Sequence, residues 1–400
     1  MSDVIVITGI GIVSSLGSNC DSAVDMLCNR VISAEKTKDH ESDKFHGTVK
    51  DFNVVDYINP REARKMDPIS CYTIAAGSQA LEQARLGMEE RNNCGLLVGT
   101  GFSGLRSVVE HQKKFLRDGI AMLSPFHFPN TVYNAAAGLA AIKLGITGPN
   151  STVTGVDVSG EQAIQYGIMM LRQGMVEQVL VIGVDELSAA LIKGFSDMRL
   201  LSQSDDTPAC PFSRSRSGFN LSEGCAALLI ETATSARKRS VKPLAEIEGV
   251  GMSAAAADSY KFDNTGYYAQ ISIKQALEKA EQTMSAIEWI SSSANGSRAL
   301  DAAEMNLWPS LLTESSAKIT AIKAYTGEFA GSGVLRIALG ISSLLQSVVP
   351  VMDPDKDYDD SIRPYLNFDM SGKVLRFLHL GSGIGGSQIA MVVNCSSAQG

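Results

Sequence analysis

Short apolar runs, many bounded by glycine, alternate along this chain with longer stretches of helical periodicity. Val4–Gly11, Gly95–Gly99, Val179–Gly183, Ala226–Ile230, Ala245–Gly251, Ile319–Ile322, Leu375–Gly381 and Gln388–Asn394 read as strands. Between them, Ile69–Leu86, Leu105–Leu116, Tyr133–Leu144, Gly160–Gln173, Ile271–Ala280, Ala302–Leu312 and Gly333–Gln346 carry apolar residues at the spacing of one helix face. Strands alternating with helices of this length predict an α/β protein whose helices cover a sheet. Pro149-Asn150, Asp205-Asp206-Thr207-Pro208 and Asp353-Pro354-Asp355 read as turns. Val4–Gly11 and Ala245–Gly251 share an outline. Each is a β-rich run that ends in a Gly-x-Gly turn (9/11 and 249/251), followed by an Ala/Ser-rich helical stretch. This suggests an internal duplication with halves at 1–240 and 241–400, and no low-complexity linker separates them.

Composition narrows the function. Of 400 residues, 44% are hydrophobic and 20% charged, which excludes a disordered chain, a collagen-like repeat and a small disulfide scaffold. Lys and Arg total 35 against 43 Asp and Glu, a net charge of −8. No clustered basic footprint calls for nucleic acid. Lys113-Lys114 and Arg237-Lys238-Arg239 read as solvated helix surface. The 7 cysteines are odd in number and form no CxxC pair, which points to buried, reduced thiols in a cytoplasmic protein and to no metal site. Met-Ser-Asp runs straight into Val4-Ile5-Val6-Ile7, so no secretory leader is expected. Residues 135–146 are too short for a membrane span, and Lys143 interrupts them. Histidine is scarce: His40, His46, His111, His127 and His379 are the only 5.

Several segments together carry a resemblance. They are VIVITGIGIVSSLG (4–17), VGTGFSGL (98–105), SPFHFPNTVYNAAAG (124–138), GPNSTVTGVDVSGEQAI (148–164), RQGMVEQVLVIGVDE (172–186), PFSRSRSGFNLSEGCAALLIE (211–231) and KAYTGEFAGSG (323–333). In this order, over essentially the whole chain, they resemble the β-ketoacyl synthases. The resemblance implies the thiolase fold: two βαβαβαββ halves in a five-layered αβαβα body. It implies no cofactor. In such synthases a cysteine on a strand-to-helix turn takes the acyl chain as a thioester, aided by two histidines or a histidine and an asparagine. Here the matching turn, Thr154-Gly155-Val156-Asp157-Val158-Ser159-Gly160, carries Asp157 at the cysteine position. Asn295 stands for one histidine in Ala294-Asn295-Gly296-Ser297, and Glu328 for the other, while Lys323 and Thr326-Gly327 are kept. The loop usually carrying gating phenylalanines reads Gly381-Ser382-Gly383-Ile384-Gly385-Gly386. None of the five histidines falls on a matching position. Aspartate is a poor acyl acceptor, because an anhydride is a high-energy, water-labile intermediate.

This pattern resembles the chain length factor, or β ketosynthase subunit, of type II polyketide synthases. That subunit pairs with an active ketosynthase, and RALDAAE (298–304) resembles its loop. Many such subunits carry glutamine at the cysteine position, where this chain has Asp157. The resemblance implies a heterodimer with an active ketosynthase, malonyl delivery to that partner by an acyl carrier protein, and a growing polyketide chain in a tunnel at the interface. It places tunnel-wall residues at Leu105, Val108 and Gln112, which share one helix face, and after these names Phe102, His127 and Thr131 as further candidates. Read singly, Leu105 and Val108 are ordinary core positions. Asp157 has two readings: a relic accepting N–H groups at the start of the 160–173 helix, or a group with a new use. An ion pair of Lys323 and Glu328, with each other or with Asp157, is expected. The alternative is a stand-alone thiolase-fold enzyme using Asp157, Glu328 and Lys323 for decarboxylation, hydrolysis or dehydration of acyl carrier protein substrates. A scaffolding relic is a third reading. The product, octaketide-type aromatic or aryl polyene, stays open.

Overall fold

The computed structural model describes residues 3–36, 43–256, 258 and 261–396, so His40 lies outside the described residues. Its strands are β1 (Ile5–Ser14), β2 (His46–Gly47), β3 (Cys94–Gly99), β4 (Asn150–Val153), β5 (Gln178–Asp185), β6 (Leu221–Ser222), β7 (Gly224–Thr232), β8 (Ala245–Ala254), β9 (Trp289–Ser291), β10 (Lys318–Thr320), β11 (Arg376–Ser382) and β12 (Ser387–Asn394). Ten of them form one mixed sheet in the order β10-β9-β11-β12-β8-β1-β7-β5-β3-β4. Taken half by half, each set of five has the same order, third-second-fourth-fifth-first, so the topology repeats. The sets meet at an antiparallel seam where Ile5, Val6 and Ile7 pair with Ile247, Glu246 and Ala245.

The seam turns the two sets into facing layers. The helices Ser159–Arg172 and Ser332–Leu345 fill the space between them and touch each other. One apolar core joins Ile164 and Ile168 to Leu335 and Ile337, and to Val181 on one side and Trp289, Phe377 and Met391 on the other. Two outer cores lie beneath Pro68–Gln83 with Ala135–Leu144, and beneath Tyr267–Lys279 with Arg298–Leu311. The body is thus a five-layered thiolase fold.

The two Gly-x-Gly motifs act differently from the expectation. They are not terminal turns, since β1 runs on to Ser14 and β8 to Ala254. A Cβ at Gly9 or Gly11 would strike the carbonyl oxygens of Ala80 or Ala76, and one at Gly249 or Gly251 those of Ala276 or Ser272. In both halves the motif lets an outer helix lie directly on the first strand.

Other expectations need correction. Asn150 opens β4 rather than completing a turn. β9 was not expected, and the Ile319–Ile322 run gives β10 at Lys318–Thr320; each is only three residues long. Helices Cys20–Cys28 and Ala189–Asp197 were not expected. The Ala302–Leu312 pattern begins earlier, at Arg298. Arg239 is not solvated surface. Its side chain is 8% exposed and pairs at 3.2 Å with the fully buried Glu231. All seven cysteines are free, but Cys20, Cys28 and Cys210 are only half-buried. No helix among the described residues is long and apolar enough to cross a membrane.

Candidate functional site

The strand-to-helix turn keeps a nucleophile-bearing shape without a nucleophile. Val156 sits at φ +50°, a conformation that costs a β-branched residue about 1–3 kcal/mol. The Ser159 hydroxyl holds it there, accepting the Gly155 N–H at 2.9 Å and donating to the Val156 carbonyl at 2.6 Å. Asp157 follows, buried, at the mouth of the central helix. Its Oδ2 accepts the backbone N–H of Ile384 at 2.8 Å. The expected partners at the start of its own helix are therefore replaced by the glycine loop 381–386. Burial, and then the Glu328 carboxylate, push Asp157 well above the ordinary carboxylate range, while Ile384 and Lys323 oppose the rise.

Asn295, Lys323 and Glu328 converge as the motif positions imply. Glu328 Oε2 accepts Lys323 Nζ at 2.6 Å and Asn295 Nδ2 at 2.8 Å, and Oε1 accepts the Ser332 hydroxyl at 3.0 Å. The ion pair thus forms between Lys323 and Glu328, and Asp157 faces it without a hydrogen bond to either. Asn295 is held in turn. Its Oδ1 accepts the Ser297 N–H at 3.0 Å, and Asp301 Oδ1 accepts the N–H groups of Asn295 and Gly296 at 3.2 and 3.1 Å. Burial pushes Asp301 up to about 7, against the donors Phe212 and Gly296. A carboxylate with three donors is a structural acceptor more than a free base.

Directly behind this site lies a buried charged group that the motif reading missed. Glu161 Oε1 accepts Arg336 at 3.2 Å and the Nε2 of His379 at 3.1 Å, with all three side chains almost wholly enclosed. Burial and the Arg336 cation hold His379 down to about 4, which favours the neutral imidazole; facing the Glu161 carboxylate, an acceptor, Nε2 is the nitrogen suited to donate. Burial alone would push Glu161 up, but its contacts to His379 and Arg336 more than offset that. A signal existed: Arg336 interrupts the apolar run VLRIALG, and a charge at a core position needs a partner.

The tunnel candidates lie on and around the helix Leu105–Asp118, and Phe102 and Leu105 pack against the same small core as Ile384 of the glycine loop. The helix Leu105–Asp118 has no fully buried residue. Leu105 and Phe102 are half-buried against the small core of Leu187, Leu191, Ile192 and Phe195, and Phe102 stacks edge-on with Phe195 at 5.7 Å. Val108 and Thr131 are half-buried, while Gln112 and His127 are exposed. Leu105 thus sits at the edge of a core, and Val108 belongs to none among the described residues. The stripe of Leu105, Val108 and Gln112 continues to Leu116, which is 80% exposed. Around it, Ile120, Phe126, Phe128, Val132, Tyr133 and Ile142 are also exposed. Among the described residues, the nearby β4 is a sheet edge with β3 as its one neighbour. A run of apolar side chains beside an unpaired strand edge marks an interaction surface.

Comparison with known proteins now bears on this geometry. Residues 2–236 match the beta-ketoacyl synthase N-terminal domain and residues 244–352 its C-terminal domain. The 3-oxoacyl-[acyl-carrier-protein] synthase 2 of Vibrio harveyi is 28% identical over 379 residues, 90% of this chain and 91% of its own length. Among solved structures, one described as the ishigamide ketosynthase/chain length factor matches with a TM-score of 0.90 at 20% identity, covering 98% of this chain and 99% of that one. Another, a type II PKS acyl-carrier protein in complex with its ketosynthase bound to the hexaketide, matches with a TM-score of 0.88 at 19% identity, covering 99% and 100%. At such identities the structural likeness speaks for the fold. The matched domains span more than three-quarters of the sequence, and the chain belongs to the β-ketoacyl synthase family.

Proposed function

We propose that this chain is a catalytically silent, chain-length-factor-like subunit of a type II polyketide synthase. It would pair with a cysteine-bearing ketosynthase, which an acyl carrier protein supplies with extender units, and shape the interface tunnel in which the polyketide grows. One observation carries the reading: Glu328, at a histidine position of the family, is locked by Lys323, Asn295 and Ser332, beside an Asp157 whose carboxylate takes the Ile384 N–H. No thiol stands at the turn, and the loop donor is already engaged. The exposed Leu116 at the end of the stripe, with exposed Ile120, Phe126 and Phe128 beside it, supports a role at an interface. The test is intact-mass analysis of the isolated chain after incubation with malonyl and acyl carrier protein. The expected result is no adduct; a covalent acyl group on this chain overturns the reading.

A second reading rests on Asp157 itself. A carboxyl raised toward neutrality, close enough to feel Lys323, is a candidate acid–base group in a stand-alone enzyme. Turnover of acyl carrier protein substrates by the isolated chain, lost in Asp157→Ala, favours that reading over the first.

A further inference from the structure

The helix Leu105–Asp118 carries a second face, opposite the stripe of Leu105, Val108, Gln112 and Leu116. Ser107, Glu110, His111 and Lys114 line it at i, i+3, i+4 and i+7. The chain turns back after Gly119 and lays residues 124–128 against this face, with the His111 and Phe128 rings 5.7 Å apart. Between helix and returning segment lies a cavity of about 190 Å³, lined by Ser107, Glu110, His111, Lys114, Ser124 and His127.

We propose that this cavity is a receptor for a carboxylate side chain of the ketosynthase partner. The inference rests on the heterodimer reading and deepens it. Size is the first reason. Pockets for whole small molecules run to roughly 300–1,000 Å³, so this one fits a single short side chain and not an acyl chain. Chemistry is the second. Five of its six lining residues are an ammonium, two imidazoles and two hydroxyls. Its one acid, Glu110, is already engaged by Arg106 at 3.2 Å. Charge is the third. The helix holds four basic residues (Arg106, Lys113, Lys114, Arg117) against two acidic ones, in a chain whose net charge is −8. The surroundings are the fourth. Ile120, Met122, Phe126 and Phe128 are 76%, 59%, 72% and 57% exposed around the returning segment. An apolar rim that excludes water around one polar anchor is how interfaces concentrate binding energy.

The same features favour an acidic partner over a second copy. A two-fold contact between identical chains sets one patch against itself, and this patch would meet its own positive charge.

The experiment uses a cysteine-bearing ketosynthase that co-purifies with the full chain. Affinity is measured for the wild type, Lys114→Glu, and His127→Glu, with thermal unfolding confirming that each variant folds. Both variants are expected to bind at least about tenfold more weakly. Reversing the matched partner acid to lysine is expected to restore Lys114→Glu. Undiminished affinity of folded Lys114→Glu and His127→Glu overturns the receptor and leaves the heterodimer standing. A wild-type homodimer that Lys114→Glu dissociates assigns the cavity to a second copy and also overturns it. Absence of any wild-type complex with a ketosynthase removes both readings together.

Discussion

Lys323 Nζ stands 2.6 Å from Glu328 Oε2, and the two side chains are 1% and 3% exposed. A pair so enclosed contributes little net stability, because desolvation offsets attraction, yet breaking it leaves one charge stranded. Glu328→Gln is therefore expected to destabilise the chain by about 3–5 kcal/mol, measured by denaturant unfolding. Lys323→Met together with Glu328→Leu should recover most of that loss. Equal losses in single and double variants would show that the pair is not the coupled unit.

Asp157→Asn should act in the opposite direction, and with a pH signature. Asp157 is raised in the folded chain, whereas in the unfolded chain it ionises near the ordinary value of about 3.9. Below that value both states hold the proton, and the folded chain keeps its full contribution. As pH rises toward the folded pKa, only the unfolded chain releases the proton, and stability is lost. Asparagine keeps an acceptor for the Ile384 N–H without this loss. The gain in melting temperature over wild type is expected to be near zero at pH 4 and clear at pH 8. A gain independent of pH refutes the assignment.

Bulk on the helix stripe should set product length if the chain pairs as proposed. Val108→Trp is expected to shorten the polyketide by at least one extender unit, and Leu105→Ala to allow a longer one. The readout is product mass from the reconstituted complex, with sizing to confirm that the complex is intact. Unchanged products from both variants would remove Leu105 and Val108 from the tunnel wall.

Gly251→Ala places a methyl group against the Ser272 carbonyl, as Gly11→Ala does against that of Ala76. Each is expected to cost about 1–3 kcal/mol or more through overpacking, by denaturant unfolding. Matching losses in the two halves would reflect the shared helix-on-strand contact. A neutral result at either site would show that its outer helix can shift.

Much of the fold was legible because β3, β5, β7 and β12 are apolar runs buried on both faces, a pattern that survives without tertiary context. The edge strand Asn150–Val153 was not, since NSTV is polar and half-exposed and takes its conformation from pairing with β3. At the site, the types at 157, 295, 323 and 328 were legible from the motifs. Their partners were not, because Ile384 reaches Asp157 from 227 residues away through a backbone N–H that every residue type but proline supplies. The Glu161, Arg336 and His379 contact depends likewise on two halves meeting, which no local window contains. The stripe of the helix Leu105–Asp118, half-buried at Leu105 and open at Leu116, looked like core, because periodicity reports that a face is apolar and not what covers it.

The seam of Ile5–Ile7 against Ala245–Ile247 is three residue pairs long, yet it decides how the molecule comes apart. With the inner helices of both halves sharing one core, neither half owns a complete set of packed faces. Cutting the chain near residue 240 would expose the inner surfaces of both fragments at once. The repeat is therefore written in the strand order but not in the unfolding behaviour: the two sets should melt as a single cooperative unit, and neither half should fold alone.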